Sequence, residues 1–284
     1  MARHLLSRGL SLLALGTVFL TLFRVQALQF PSGRLIQQAA VTPTPEAGFS
    51  PITSNDDWVP VEQVFDDGIS MVLVPVGCFE MGREGGTRDD IPVHQQCFDE
   101  PFWLDMTEVT QSDFVRLGGN AAHSPVDKGD LLPVSNIDWF EARDFCNLRG
   151  GRLPAEHEWE YAARGPDNWI NPWGNDWNDN YAVWLHEGVS AEVGSRPEGR
   201  SWVGAVDLGG NVWEWVNSRH DPYPYVPDDG REAEIDRTSD DFRVIRGGSY
   251  LIEYSELLSL PYRGRMKPDA FDVDNGFRCA RDYE

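Results

Sequence analysis

The residues best suited to chemistry stand near the C-terminus, in Arg246-Gly247-Gly248-Ser249-Tyr250-Leu251-Ile252-Glu253-Tyr254-Ser255-Glu256-Leu257. Val244-Ile245 reads as a short buried strand, and the Gly247-Gly248 pair removes side chains where the backbone must bend or approach a neighbour closely. Ser249 and Tyr250 then offer hydroxyls; with Glu253 and Trp213 they are the candidate ligand-cleft residues. A serine nucleophile needs a base to take its proton, and the sequence places none beside Ser249. Ile252 and Leu257 stand where a reactive side chain would be sought, so no catalytic residue is assigned.

Other chemistries find little support. His94, His123, His157, His186 and His220 show neither HExxH nor HxxxHxE spacing, and no expected helix carries two of them. His157 lies in an acidic, surface-like helix and reads as a solvated side chain. Asn175-Asp176-Trp177-Asn178-Asp179-Asn180 alternates oxygen ligands, yet it lacks the glycine at position six and the terminal Glu of an EF-hand and reads as a loop. The four cysteines, Cys78, Cys97, Cys146 and Cys279, have no CxxC spacing, which speaks against a zinc or thioredoxin-like site. Their even number suits disulfides, with three pairings open.

The chain of 284 residues carries 24 basic against 46 acidic residues, a net charge of −22, which excludes a nucleic-acid partner needing a basic footprint. Its 27 Gly and 19 Pro predict short elements and many loops. Residues 1–27 read as a signal peptide: Arg3, His4 and Arg8 precede an apolar run from Leu10 to Phe23, and Val25-Gln26-Ala27 suits cleavage. The run falls short of the ~20 residues needed to cross a bilayer, so the mature chain is expected to be secreted or extracytoplasmic and not membrane-spanning. Residues 28–57, with Thr42-Pro43-Thr44-Pro45, read as a disordered linker, and 58–284 as the folded domain.

Within that domain, Met71–Val76, Cys78–Met81, Cys97-Phe98 and Phe102–Leu104 read as short strands, and Gln111–Leu117 as a short helix. A firmer helix spans Asp138–Leu148, with Asp138 as cap, Glu141 reaching back to it, Gly150-Gly151 as stop, and Phe140, Phe145, Cys146 and Leu148 available for burial. Another follows Pro154, with Trp159, Ala162 and Ala163 on one face, Glu156 and Glu160 on another, and Gly165 as its stop.

Four motifs occur in order: Arg152-Leu153-Pro154 with Glu158-Trp159-Glu160-Tyr161-Ala162-Ala163-Arg164-Gly165; Asp207-Leu208-Gly209-Gly210-Asn211-Val212-Trp213-Glu214-Trp215; Arg246–Tyr250; and Gly276-Phe277-Arg278-Cys279. Together they resemble the formylglycine-generating enzyme family, the sulfatase-modifying-factor domain, over about Met71 to Arg281. The resemblance implies a single α+β domain with a modified C-type-lectin fold, low in regular secondary structure and rich in core Trp. It implies calcium held by the side chains of Asp207 and Glu214 and the carbonyls of Gly210 and Val212, a ligand set of hard oxygens. The family's other calcium stretch would fall at Tyr181–Trp184, where no Asn stands, and is not assigned. It also implies a Cys146–Cys279 disulfide, which leaves Cys78 with Cys97.

Enzymes of this family oxidise a substrate cysteine with copper on two cysteines, three and eight residues after the Ser of the Arg-Gly-Gly-Ser motif. Here those positions are Ile252 and Leu257, and neither side chain can ligate copper, so copper is not expected. A branch using non-haem iron needs a histidine cluster that this sequence does not present. The expectation is therefore a calcium-stabilised module that binds a peptide, glycan or partner protein near Ser249. The alternative is an oxidoreductase or protein-modifying enzyme acting on sulfur-containing or protein substrates in the same cleft.

Overall fold

A computed structural model describes residues 49–185 and 188–284. The expected signal segment, linker residues 28–48 and His186 lie outside the described residues. From Phe49 onward the segment read as linker is packed onto the domain: Ile52 bridges to Gly77, and Asn55 is buried, its side-chain amide donating to the Arg164 carbonyl at 3.0 Å.

Strand β2 (Ser70–Val74) forms where four apolar residues follow one another, and all four are buried. It is central in an antiparallel sheet ordered β1 (Glu62–Val64), β2, β5 (Phe102–Asp105), β10 (Ala280–Asp282). A hairpin of β3 (Gly77–Met81) and β4 (His94–Phe98) sets Cys78 opposite Cys97, and the two are disulfide-bonded. The third sheet runs β8 (Gly264–Met266), β7 (Arg243–Arg246), β6 (Trp213–Arg219), β9 (Asn275–Phe277), with β9 parallel to β6. This sheet carries parts of three of the four motifs: Trp213–Trp215 in β6, Arg246 at the end of β7, and Gly276-Phe277 in β9.

Helix α1 (Gln111–Arg116) is capped by Thr110. Helix α2 (Trp139–Leu148) begins with the expected reciprocal cap between Asp138 and Glu141, and its Cys146 is joined to Cys279 just beyond β9. Leu148 is exposed rather than buried, because at 100° per residue it lies half a turn from the buried Trp139. Helix α3 (Glu156–Arg164) ends at Gly165, whose φ of 65° suits glycine.

Helix α3 departs from the amphipathic expectation. Glu156 and Glu160 are as buried as Trp159, Ala162 and Ala163, because arginines reach them inside the core. Arg263 donates to both oxygens of Glu156 at 2.6 and 2.8 Å, while Arg164 and Arg246 reach the two oxygens of Glu160. His157 is half-buried, with its ring stacked on Phe98 and Tyr225 at 4.8 and 4.4 Å, not solvated. Trp139, Trp159 and Trp215 fill the core, and each indole N–H finds an acceptor: Val216 O, Glu214 Oε2 and Ile137 O. Among the described residues, no helix is long and apolar enough to cross a membrane.

Candidate functional site

Strand β7 delivers Arg246 into the core, and the chain then turns through Gly247 and Gly248 at φ of 91° and 75°. At Gly247 an added Cβ would stand 3.1 Å from the Leu208 carbonyl and 3.3 Å from the Trp159 ring, so the motif stretches lie directly against one another. Ser249 follows, fully buried, with its hydroxyl donating to Asp274 Oδ2. The Ser249 hydroxyl oxygen in turn accepts the Leu251 N–H at 3.3 Å. The Tyr250 N–H donates to the Asn211 carbonyl at 2.9 Å, which fastens this turn to the Asp207–Glu214 stretch.

Acidic groups surround these hydroxyls. Burial pushes the Asp274 carboxyl up, and Asp272 adds to it. Burial also raises the Tyr250 phenol, with Asp127, Asp274 and Asp272 contributing negative charge around it. Asp127 belongs to the loop beside a cavity of about 710 Å³ lined by Phe114, Asn120, His123, Lys128 and Val134. Trp213 is half-buried, its ring 6.0 Å from that of Tyr262, and its backbone N–H donates to the Asp274 carbonyl at 2.8 Å. Of the candidate cleft residues, Ser249, Tyr250 and Trp213 thus meet around Asp274 and Asn211, while Glu253 is exposed. Ile252 and Leu257 are half-buried in the turns that follow.

The second stretch bends sharply: Asp207, Gly210 and Asn211 have φ of 63°, 111° and 60°. Asp207 accepts the Gly194 N–H at 2.6 Å and is buried, as is Glu214. Both Glu214 oxygens face Arg278, with Nε to Oε2 and Nη2 to Oε1 each 2.7 Å, and Trp159 Nε1 adds a donor at 2.8 Å. Glu108, just before α1, enters the same space at 1% exposure. Its Oε1 accepts from Asn211 Nδ2 at 3.0 Å. Burial, and then the Asp207 carboxylate, pushes the Glu108 carboxyl well above the usual range, and burial likewise raises Asp207.

A hard cation at this place would need several oxygen ligands. Glu108 Oε2 is buried with no other side chain or backbone N–H donating to it, and the Glu108 carboxyl, held protonated, is hydrogen-bonded to Asp207. Among the described residues, no three His, Cys, Asp or Glu side chains close on one point as a ready-made cage, so backbone carbonyls such as those of Gly210 and Val212 have to complete any set. Glu108 and Asp274 are the site residues that sequence reasoning missed. Asp274 stands immediately before the Asn275–Cys279 segment, a position that could have marked it; Glu108, in Thr107-Glu108-Val109-Thr110, carries no local signal.

All four cysteines are in disulfides, Cys78–Cys97 and Cys146–Cys279.

Comparison with known proteins agrees with this architecture. The family described as "Sulfatase-modifying factor enzyme 1-like domain" matches residues 59–283. The inactive C-alpha-formylglycine-generating enzyme 2 of Mus musculus is 34% identical over 168 residues, 52% of this chain and 49% of the relative. The formylglycine-generating enzyme of the same organism is 29% identical over 213 residues, 67% of this chain and 54% of the relative. The chain therefore spans about half the length of these curated relatives. The solved structure of PvdO from Pseudomonas aeruginosa superposes with a TM-score of 0.65 at 24% identity, covering 78% of this chain and 97% of PvdO, which supports the α+β fold of the sulfatase-modifying-factor type with its C-type-lectin-like core.

Proposed function

The chain belongs to the sulfatase-modifying factor enzyme 1-like family, and from that premise we propose that it is an extracytoplasmic, calcium-stabilised binding module without formylglycine-generating activity. One observation carries this reading. Copper-dependent oxidation of a cysteine requires two thiols in the cleft, and here Ile252 and Leu257 take those positions while every cysteine is in a disulfide. The disulfides themselves fit an oxidising compartment.

The ligand is a peptide, glycan or partner protein that reaches the surface around Trp213 and Tyr250. The carboxylates of Asp127, Asp272 and Asp274 favour a ligand presenting cationic or hydroxyl groups there. Calcium, held by Asp207, Glu214 and the carbonyls of Gly210 and Val212, stabilises the turn to which Tyr250 is bonded. Chelation followed by calcium re-addition should raise the melting temperature, and the absence of any shift would count against the metal.

A second reading draws on the Ser249–Asp274 hydrogen bond, a polar couple in the position of the family's cleft. It makes the protein an oxidoreductase or protein-modifying enzyme acting on sulfur-containing or protein substrates. An aldehyde assay with copper and a cysteine-containing peptide tests the first reading, and loss of some other turnover in Ser249→Ala would favour the second.

A further inference from the structure

A groove of about 520 Å³ shares no lining residue with the Ser249 cleft or the Asp207–Glu214 stretch. Its aromatic wall begins in a tight turn. In Asn171-Pro172-Trp173-Gly174 the backbones of Asn171 and Gly174 exchange hydrogen bonds of 2.9 and 3.1 Å, and the turn carries Trp173, half-buried. The Trp173 ring is braced by Trp177 and Tyr181, with centroids 5.5 and 5.6 Å away. Trp169, also half-buried, lines the same groove, and Trp202, at 5% exposure, forms its base. Rings held by their neighbours present apolar area with little left to order on binding.

The rest of the wall is polar. Glu198 and Arg200 are exposed, and among the described residues neither side chain makes a hydrogen bond or ion pair. Ser201 lines the groove as well, and its buried hydroxyl has no partner among the described residues. A buried hydroxyl ordinarily has one. The groove thus offers indole surface, an acceptor, a donor and a hydroxyl, with its two charges offsetting one another.

That combination selects among ligands. A quaternary ammonium suits an aromatic box, but the Arg200 charge opposes it. A proline-rich peptide on an aromatic groove needs donors for its carbonyls, and two of the indole N–H groups are already engaged: Trp173 Nε1 donates to the Asp176 carbonyl at 2.9 Å and Trp202 Nε1 to the Tyr161 carbonyl at 3.0 Å. A neutral sugar needs only the ring faces. A pyranose with equatorial hydroxyls lays its C–H face on an indole and directs its hydroxyls outward, where they donate to a carboxylate and accept from a guanidinium. We propose that this groove binds a neutral oligosaccharide of such pyranoses, stacked on Trp169 and Trp173 and hydrogen-bonded by Glu198, Arg200 and Ser201. It is a second ligand site, independent of calcium and of the Ser249 cleft.

Titration of the wild-type chain with cellohexaose and with N-acetylchitohexaose, followed by calorimetry and tryptophan fluorescence, tests this, with decaproline as the competing probe. At least one of the two saccharides is expected to bind, and decaproline is not. Trp173→Ala should weaken saccharide binding by about tenfold or more. Glu198→Gln and Arg200→Gln, at exposed positions, should each weaken it by about fivefold with an unchanged melting temperature. Tyr250→Phe, in the other cleft, should bind the saccharide as the wild type does. Failure of both saccharides to bind, binding of decaproline in their place, or wild-type affinity in Glu198→Gln and Arg200→Gln would overturn the proposal. A loss confined to Tyr250→Phe would place the sugar in the Ser249 cleft and overturn it equally. None of these results bears on the calcium reading, which the chelation melts test separately.

Discussion

Arg278 and Glu214 meet through two parallel hydrogen bonds of 2.7 Å, both side chains wholly buried, at the point where β9 runs beside β6. A buried pair of this kind adds little over an apolar couple of similar shape, but removing one partner strands the other. Arg278→Met is therefore expected to lose about 3–5 kcal/mol, and the double variant Arg278→Met, Glu214→Leu less than the sum of its parts. Urea denaturation of Arg278→Met, Glu214→Leu and the double variant checks this; additive losses would show that the pair is not the unit of stability.

The two disulfides should contribute unequally. Cys146 and Cys279 are 133 residues apart and join α2 to the end of β9, whereas Cys78 and Cys97, 19 apart, cross a hairpin already held by its own ladder. Loop-closure entropy gives about 5 kcal/mol for the longer link and about 3 kcal/mol for the shorter. Replacing each pair by alanine and comparing denaturation midpoints tests the order; a larger loss from the hairpin pair would contradict it.

His157 makes stability depend on pH. Burial between Phe98 and Tyr225 holds its imidazole at about 4, below the ordinary 6.5. The unfolded chain therefore takes up this proton first as pH falls. The stabilisation is complete above 6.5 and declines as pH drops from there towards 4, by roughly 2–3 kcal/mol. His157→Phe preserves the stack and should flatten stability across that window, and an unchanged slope would assign the effect elsewhere.

Gly210 should resist substitution. Its φ is 111°, and a Cβ would stand 2.5 Å from the Val183 carbonyl. Gly210→Ala is expected to cost about 2 kcal/mol or more and to weaken calcium binding, because the backbone that would supply a carbonyl must shift. Thermal melts with and without calcium read both effects.

Much of the fold was legible locally. Asp138 with Glu141 announced α2, Gly165 ended α3, and the apolar run at Met71–Val74 gave the central strand, because each depends on groups a few residues apart. The acidic face of α3 was misread for the opposite reason. Glu156 and Glu160 are neutralised by Arg263 and Arg246, 107 and 86 residues downstream, and periodicity carries no trace of such partners. The site divides along the same line. Ser249, Tyr250 and Trp213 stood out in motif stretches, whereas Glu108 and Asp274 acquire their roles only when folding brings them beside Asn211 and Ser249.

The central claim is that the cleft has kept its framework and lost its thiols. Purified protein, loaded with copper and incubated under oxygen with a cysteine-containing sulfatase-type peptide, tests it most directly through the mass change that accompanies conversion of the thiol to an aldehyde. The peptide is expected to remain unmodified, in the wild type and after Ile252→Cys alone, because one thiol cannot supply a two-thiolate copper site. Clear aldehyde formation by the wild-type chain would contradict the account, since Ile252 and Leu257 leave it no thiol with which to begin.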